Sequence, residues 1–301
     1  MFSTIKKWAE FVKFSHTVFA LPFAIASMAL ASRDTKGWPG WRVFGLVLLA
    51  MVGARTCAMA FNRIVDRKFD AENPRTAERH LPAGKISLAS AWTLCALSGG
   101  LMVFAAYMLN PLCFYLSPVA LFFVCFYSLT KRFTDFTHVW LGLALALAPI
   151  GAWIAVRGTV DFTPIREGFA LPLMLAVIVL LWLIGFDIIY AIQDYEFDRK
   201  KGLHSLVVRW GPKNALQAAT LAHVIMLVLL ALFGFLASFR IAYFIGYLMI
   251  GISIVFEHWL ARRRSINWVN NAFFRLNAVV SIVFMCVTVA EVTFVGFRYD
   301  R

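Results

Sequence analysis

The second apolar run of the chain, roughly residues 41–61, continues into the polar stretch FNRIVDRKFDAENPRTAERHLPAG, Phe61–Gly84. An apolar run of about 20 residues is long enough to cross a bilayer as a helix. Asn62, Asp66 and Asp70 follow one another at intervals of four residues, so they share one face if the helix continues past the run. We therefore predict a membrane helix whose last turns lie outside the lipid. These turns carry Asn62, Asp66 and Asp70, which we call the first row.

A later apolar run, roughly residues 170–192, also ends in acidic residues. A helix that continues this run would carry a second row of four side chains along one stripe: Asp187, Tyr190, Asp194 and Asp198. If both helices leave the membrane on the same side, the two rows bring two carboxylate pairs together. Carboxylates held close together repel one another unless a cation joins them, so this spacing indicates a site for a divalent ion.

The composition of the whole chain places both rows in a membrane protein. Of the 301 residues, 61% are hydrophobic and 15% are charged, and the mean hydropathy is +0.75. Soluble domains are about 45–50% apolar and about 25% charged, so this excess of apolar residues cannot be hidden in one soluble core. The net charge of +13 is explained by basic residues that flank membrane spans, and we expect no nucleic-acid partner.

The predicted fold class is an all-α polytopic membrane protein that forms a single domain over residues 1–301. Backbone groups in lipid must find their hydrogen-bond partners within the segment itself, which favours helices, and the apolar runs lack the alternation of barrel strands. Nine transmembrane helices are predicted, at roughly residues 14–32, 41–61, 89–108, 111–130, 138–156, 170–192, 214–236, 240–260 and 269–296.

The positions of lysine and arginine predict the orientation of these spans. Nineteen of the 29 lie in the amino terminus and in the loops after spans 2, 4, 6 and 8, and eight lie on the opposite side. Because cytoplasmic loops carry the excess of these residues, the amino terminus and the two Asp-rich segments, 62–88 and 193–213, are predicted to be cytoplasmic. We expect a multi-pass protein of a bacterial-type inner (plasma) membrane.

The residue types at this surface suit one kind of ligand. Magnesium prefers oxygen ligands, keeps some of its waters, and takes one or two carboxylates together with substrate phosphates. Two carboxylate pairs are therefore suited to magnesium ions that hold a diphosphate. Basic side chains that can neutralise the remaining phosphate charge are close in sequence: Arg63, Arg67, Arg75, Arg79, Lys131 and Arg132.

Four stretches of the chain match the motifs of one known family. Phe61–Gly84 and YAIQDYEFDRKKGLHSL (Tyr190–Leu206) contain the two Asp-rich motifs. YSLTKRFTDFTHVWLGLA, from Tyr127, contains a Lys-Arg turn between spans 4 and 5, and KFSHTVFALPFA, from Lys13, begins span 1. In their order and in the number of spans they resemble the UbiA-type intramembrane prenyltransferases, and their motifs are most similar to 4-hydroxybenzoate polyprenyltransferase-like members. The resemblance covers nearly the whole chain.

This resemblance implies a helical bundle around a central active-site cavity, with Mg²⁺ as cofactor and with a polyprenyl diphosphate and an aromatic acid as substrates. It implies that the magnesium ligands are Asp66, Asp70, Asp194 and Asp198. The residues expected at the diphosphate are Asn62, Arg63, Arg75, Lys131, Arg132 and Tyr190. Many family members have Asp where this chain has Arg63, so Arg63 is either a phosphate contact or a surface charge.

Two charged residues lie deeper in the predicted helices. At 1.5 Å per residue, Arg55 lies about 16 Å below Asp66, and Asp187 lies about 10 Å below Asp194. Ionisable groups at such depth face a cavity or each other, so one interpretation is an Arg55–Asp187 ion pair that joins spans 2 and 6. The resemblance favours the other, in which Arg55 binds the carboxylate of the acceptor. Asp187, which then orients the acceptor or takes its ring proton, and Asp194 are the predicted catalytic residues.

We therefore predict an enzyme that transfers a polyprenyl group to a 4-hydroxybenzoate-like acid in quinone biosynthesis and releases diphosphate. A naphthoate acceptor of menaquinone synthesis is the alternative within the family. Outside the family, a secondary transporter would account for the buried charges and the proline-interrupted spans. A transporter site, however, would lie near the membrane midplane, whereas the carboxylate pairs lie at one surface.

Overall fold

The structure, a computed structural model, describes residues 2–13, 19–163, 168–263 and 266–295. All regular elements in these ranges are helical, which confirms the predicted all-α class. The α-helices are α1 (Phe2–Phe11), α2 (Leu21–Ala31), α3 (Trp41–Glu72), α4 (Leu88–Leu109), α5 (Pro111–Thr130), α6 (Thr137–Arg157), α7 (Ala170–Ala191), α8 (Tyr195–Lys200), α9 (Leu206–Leu236), α10 (Ile241–Arg263) and α11 (Ile266–Ala290).

Eight helices in the described part of the chain are long and apolar enough to cross a membrane. They correspond to the predicted spans 2 to 9, so the prediction of a multi-pass membrane protein is confirmed. The predicted first span, 14–32, overlaps α2, which has 11 residues and is therefore about 16 Å long. Residues 14–18 of that span lie outside the described part.

Helix α3 carries the first row beyond its apolar segment without a break. It has 32 residues and is therefore about 48 Å long, whereas the hydrocarbon layer is about 30 Å thick. The second row is built differently. Helix α7 ends at Ala191, a 3₁₀ turn spans Ile192–Asp194, and α8 carries Asp198. Because a 3₁₀ turn has three residues rather than 3.6, the last two aspartates of this row are rotated relative to a straight α-helical stripe.

Glycines hold the helices that carry the site close to their neighbours. A side chain at Gly53 of α3 would place its Cβ 2.8 Å from the carbonyl oxygen of Ser98 on α4. A side chain at Gly142 of α6 would place its Cβ 2.9 Å from the carbonyl oxygen of Leu180 on α7. Small residues allow such close approach of membrane helices. The relative positions of α3 and α4, and of α6 and α7, are therefore narrowly defined.

Candidate active site

The two polar rows line one cavity, at the end of the bundle where α3 extends past its apolar segment. All twelve residues predicted for the site lie in the wall of this cavity, which we call the chamber: Arg55, Asn62, Arg63, Asp66, Asp70, Arg75, Lys131, Arg132, Asp187, Tyr190, Asp194 and Asp198. The convergence of the two rows on which the sequence argument depends is present in the structure. The roles of the individual residues stay predictions.

In the first row, each aspartate contacts an arginine. Nδ2 of Asn62 donates to Oδ2 of Asp66 at 2.9 Å, and Nη2 of Arg132 lies 3.3 Å from Oδ1 of Asp66. Nη1 of Arg79 lies 2.6 Å from Oδ1 of Asp70. The other oxygen of Asp70, Oδ2, is buried, has no hydrogen-bond partner and lies 4.0 Å from Nη1 of Arg63. Arg63 is itself buried and is therefore not a surface charge.

In the second row, the contacts come from other segments of the chain. Arg75 binds Asp194 through two parallel contacts, Nε to Oδ1 at 2.9 Å and Nη2 to Oδ2 at 2.5 Å, which is the strong bidentate geometry of an arginine–carboxylate pair. Arg75 also donates to the hydroxyl of Tyr190 at 3.0 Å. Nζ of Lys131 lies 3.0 Å from Oδ2 of Asp198. The segment after α3 is thus tied to the end of α7, and α5 is tied to α8.

The pKa values of the cations reflect these contacts. Burial lowers the pKa of Arg75, but its hydrogen bonds to Asp194 outweigh burial and place that pKa above its usual range. Burial also opposes the charge of Lys131, but the negative charges of Asp198 and Asp187 raise its pKa above the usual value. Both side chains therefore stay positively charged at neutral pH.

Lys13 is a chamber residue that our sequence analysis did not assign to the site. It lines the chamber, and burial, followed by the positive charges of Arg63 and Arg79, lowers its pKa to about 8. In total, seven basic and five acidic side chains line the chamber. The surplus of positive charge favours an anionic ligand. The spacing of the acidic residues does not indicate Lys13, because this lysine lies before the first span and far from both rows in the sequence.

The structure shows no ion pair between Arg55 and Asp187, so the interpretation in which they join two spans is wrong. Oδ2 of Asp187 lies 2.6 Å from Nδ1 of His138, a residue of α6 that the sequence analysis also missed. Nε of Arg55 is buried and has no hydrogen-bond partner in the described part of the chain. Arg55 is therefore left available for a ligand, and its role at the acceptor stays a prediction.

A second, apolar cavity adjoins the chamber. We call it the apolar cavity. It lies between α3, α4, α5 and α6, and its wall includes Ala54, Ala58, Ala144, Ala148 and Gly151. Leu116, which is exposed, also lines it. Four residues belong to both walls: Arg55, Tyr127, Leu141 and Leu145. The two compartments therefore meet at Arg55 and Tyr127.

The side chains of the chamber fit magnesium in their chemistry. The candidate ligands are all carboxylate oxygens, and the buried Oδ2 of Asp70 has no hydrogen-bond partner. Among the described residues, no three His, Cys, Asp or Glu side chains lie close enough together to enclose a metal ion. Magnesium usually takes one or two carboxylates together with water and substrate phosphates, so it does not require a closed set of protein ligands.

Known proteins resemble this chain in sequence and in structure. The model of the UbiA prenyltransferase family matches residues 20–279. A 4-hydroxybenzoate octaprenyltransferase of Tolumonas auensis is 30% identical over 250 residues, which is 82% of this chain and 84% of that protein. One of Alcanivorax borkumensis is 32% identical over 231 residues, which is 76% of each chain.

Solved structures agree with these matches. The apo structure of a UbiA homolog from Aeropyrum pernix K1 superimposes with a TM-score of 0.80 at 30% identity, over 91% of this chain and 96% of that one. A UbiA homolog from Archaeoglobus fulgidus bound to DMAPP and Mg²⁺ has the same fold, with a TM-score of 0.71 at 21% identity, over 96% and 99% of the two chains.

The family model covers most of the chain, and relatives at 30% identity or more cover over two thirds of it. The resemblance seen in the two Asp motifs is thereby confirmed, as is the prediction of an aromatic prenyltransferase. The chain belongs to the UbiA prenyltransferase family.

Proposed function

We propose that the protein transfers a polyprenyl group from a polyprenyl diphosphate to the ring of an aromatic hydroxy acid, with 4-hydroxybenzoate as the expected acceptor. The observation that carries the proposal is the junction of a charged chamber with an apolar cavity, because a prenyl diphosphate has a charged head and a long apolar tail. The names of the two relatives and the DMAPP and Mg²⁺ bound to the Archaeoglobus homolog support it.

The diphosphate binds in the chamber. Asp66, Asp70, Asp194 and Asp198 would hold magnesium, which would supply positive charge to stabilise the departing diphosphate. The chain's own cations contact the phosphate oxygens that remain: Lys13, Arg75, Arg79, Lys131 and Arg132. They already line the chamber, so positive charge is in place as negative charge develops on the leaving group. The prenyl tail extends into the apolar cavity, away from water.

The acceptor binds where the two compartments meet. The guanidinium of Arg55 holds the acceptor carboxylate, since a planar guanidinium matches a carboxylate with two parallel hydrogen bonds. The carbon–oxygen bond of the donor breaks and the electron pair leaves with diphosphate. The ring carbon next to the acceptor hydroxyl forms the new carbon–carbon bond, and Asp187 takes the proton that this carbon loses. The walls of the apolar cavity keep water away from the prenyl cation.

The orientation in the membrane is part of the proposal. The excess of Lys and Arg at the amino terminus and after the even-numbered spans supports a chamber that faces the cytoplasm. The bacterial origin of the relatives supports the inner membrane. In this orientation the released diphosphate leaves the protein on the cytoplasmic side.

The test is a reaction of the purified protein with magnesium, geranyl or longer prenyl diphosphates, and a panel of 4-hydroxybenzoate and hydroxynaphthoates, read by mass spectrometry. We expect prenylated 4-hydroxybenzoate, no product after chelation of the metal, and recovery when magnesium is added back. Faster prenylation of a naphthoate would indicate that the acceptor is a naphthoate of menaquinone synthesis. Absence of product with every acid would contradict the proposal, and solute counterflow without product would indicate a transporter.

A further inference from the structure

A fully buried histidine lies directly behind Asp187. His138 is the second residue of α6, its side chain is 0% exposed, and its Nδ1 lies 2.6 Å from Oδ2 of Asp187. Asp187 itself is 19% exposed and lines the chamber. The pair therefore runs from the interior of the protein to the chamber wall, with the carboxylate at the chamber end.

The hydrogen bond between the two residues has one favourable direction. An ionised carboxylate can only accept, so Nδ1 of His138 carries the hydrogen. Nε2 of His138 is buried and has no hydrogen-bond partner, and a hydrogen there would be a buried donor without an acceptor, which is unfavourable. We therefore place the hydrogen on Nδ1 of His138, where it holds Oδ2 of Asp187. No other side chain in the described part of the chain hydrogen-bonds to this carboxylate, so Oδ1 stays available to the chamber.

The packing of α6 on α7 keeps this hydrogen bond in place. Gly142 follows His138 by one helical turn, and it is there that α6 approaches the backbone of α7 at Leu180. Because the two helices cannot separate or slide without losing this close contact, the imidazole approaches Asp187 from a defined direction. A carboxylate held at one oxygen by a rigid donor presents its other oxygen in a fixed position.

We propose that His138 is a positioning residue that aims Oδ1 of Asp187 at the acceptor ring, so that Asp187 acts as the base for the ring proton. The inference rests on the proposed function. In the step concerned, the ring carbon that has bonded to the prenyl group loses its proton to Oδ1, and the electron pair of the carbon–hydrogen bond restores the aromatic ring. The hydrogen on Nδ1 of His138 stays in place and continues to bind Oδ2.

The test compares His138→Ala with His138→Asn, since the asparagine amide can place a donor near the position of Nδ1. The assay uses the aromatic acid that the wild-type protein prenylates fastest in the panel above. We expect His138→Ala to lower kcat by about tenfold to a hundredfold, by analogy with the loss of hydrogen bonds that orient metal ligands, with little change in the acceptor KM. His138→Asn should recover most of the loss.

Two further readouts separate positioning from a purely structural role. In an Asp187→Asn background, His138→Ala should cost no additional activity, because residues that act through one another are not additive. With an acceptor deuterated next to its hydroxyl, the isotope effect on kcat should increase in His138→Ala, since proton removal becomes slower. The matched control is His204→Ala, which breaks a second His–Asp pair, with Nδ1 at 3.1 Å from Asp135, outside the chamber. Its activity should stay within about twofold of wild type, since pairs with a half-exposed partner such as His204 contribute little and Asp135 keeps its ion pair with Arg209.

Several results would overturn the inference. It fails if His138→Ala retains wild-type kcat, if its loss is as large in the Asp187→Asn background, or if the isotope effect does not change. It also fails if the activity of His138→Ala falls only in step with its melting temperature, and His138→Asn restores neither the activity nor the melting temperature. If the wild-type protein prenylates no acid, the proposed function is wrong and this inference is wrong with it. If the wild-type protein does prenylate an acid, a negative result for the variants contradicts only the role of His138.

Discussion

The chamber and the apolar cavity share part of their walls, but the chamber is lined by charged side chains and the apolar cavity by nonpolar ones. Twelve charged side chains line the chamber, and ion pairs from several segments of the chain hold it together. The apolar cavity is lined mostly by alanine and leucine, with Arg55 as its charged member. Charges are costly inside a membrane protein unless they are paired, which explains why most of them lie where α3 extends beyond its apolar segment.

This contrast predicts how each compartment responds to substitution. In the chamber, removal of one partner leaves a buried charge without its counter-ion, which has a large effect. In the apolar cavity, a larger side chain changes only the volume available to a flexible chain. Where the two compartments meet, a substitution should weaken the binding of one substrate and leave that of the other unchanged. The three predictions below take one residue from each region, and a reversed order of effects would contradict the comparison.

The largest effect is expected for Asp194→Asn in the chamber. This change removes the bidentate partner of Arg75 and a candidate magnesium ligand, and loss of one preorganised electrostatic contact commonly costs about a hundredfold or more in kcat. Prenyl transfer under saturating substrate measures it, and the melting temperature reports whether the protein is folded. The control is Asp34→Asn, since Asp34 is exposed and lies 3.8 Å from Arg157. Near-normal turnover by a folded Asp194→Asn variant would show that the second row is not needed for the reaction.

An intermediate effect is expected for Arg55→Ala at the junction. Hydrogen bonds to charged groups contribute about 1.5–3 kcal/mol, so the acceptor KM should increase by about tenfold to a hundredfold. The KM of the prenyl diphosphate should change little, because its head is bound by other cations. Steady-state kinetics with each substrate varied in turn measure the two constants. An unchanged acceptor KM would show that Arg55 does not bind the acceptor carboxylate.

The smallest effect is expected for Gly151→Leu in the apolar cavity. Gly151 lines the cavity, and a Cβ there would meet no other atom within 4 Å, so the new side chain occupies open space. We expect turnover with a short donor within about twofold of wild type, since helices favour Leu over Gly, but weaker use of long donors.

A series of donors of increasing length measures the effect of Gly151→Leu. Gly100→Leu is the control, because Gly100 is also a helical glycine with no atom within 4 Å of its Cβ, and it lies outside both cavities. Equal use of all donor lengths by Gly151→Leu would show that the prenyl tail does not pass Gly151.

Local patterns predicted the two rows but not the contacts between them. Asn62, Asp66 and Asp70 share a face because an α-helix repeats every 3.6 residues, and this follows from spacing alone. The Arg55–Asp187 pair was a reasonable expectation for two charges at similar depth, yet His138 from α6 occupies the position at Asp187. No pattern in the sequence marks His138, since it is a single polar residue at the start of an apolar helix.

The helical membrane class, the approximate spans and the two acidic rows could be predicted from the amino-acid order, because hydropathy and helical periodicity are properties of short segments. Three features required the folded structure: the rows face one chamber, Lys13 lies in its wall, and Arg55 lies between the charged and the apolar compartments. Those features depend on distances between helices that are far apart in the chain. Such distances are set by packing, as at Gly53 and Gly142, which no single segment encodes.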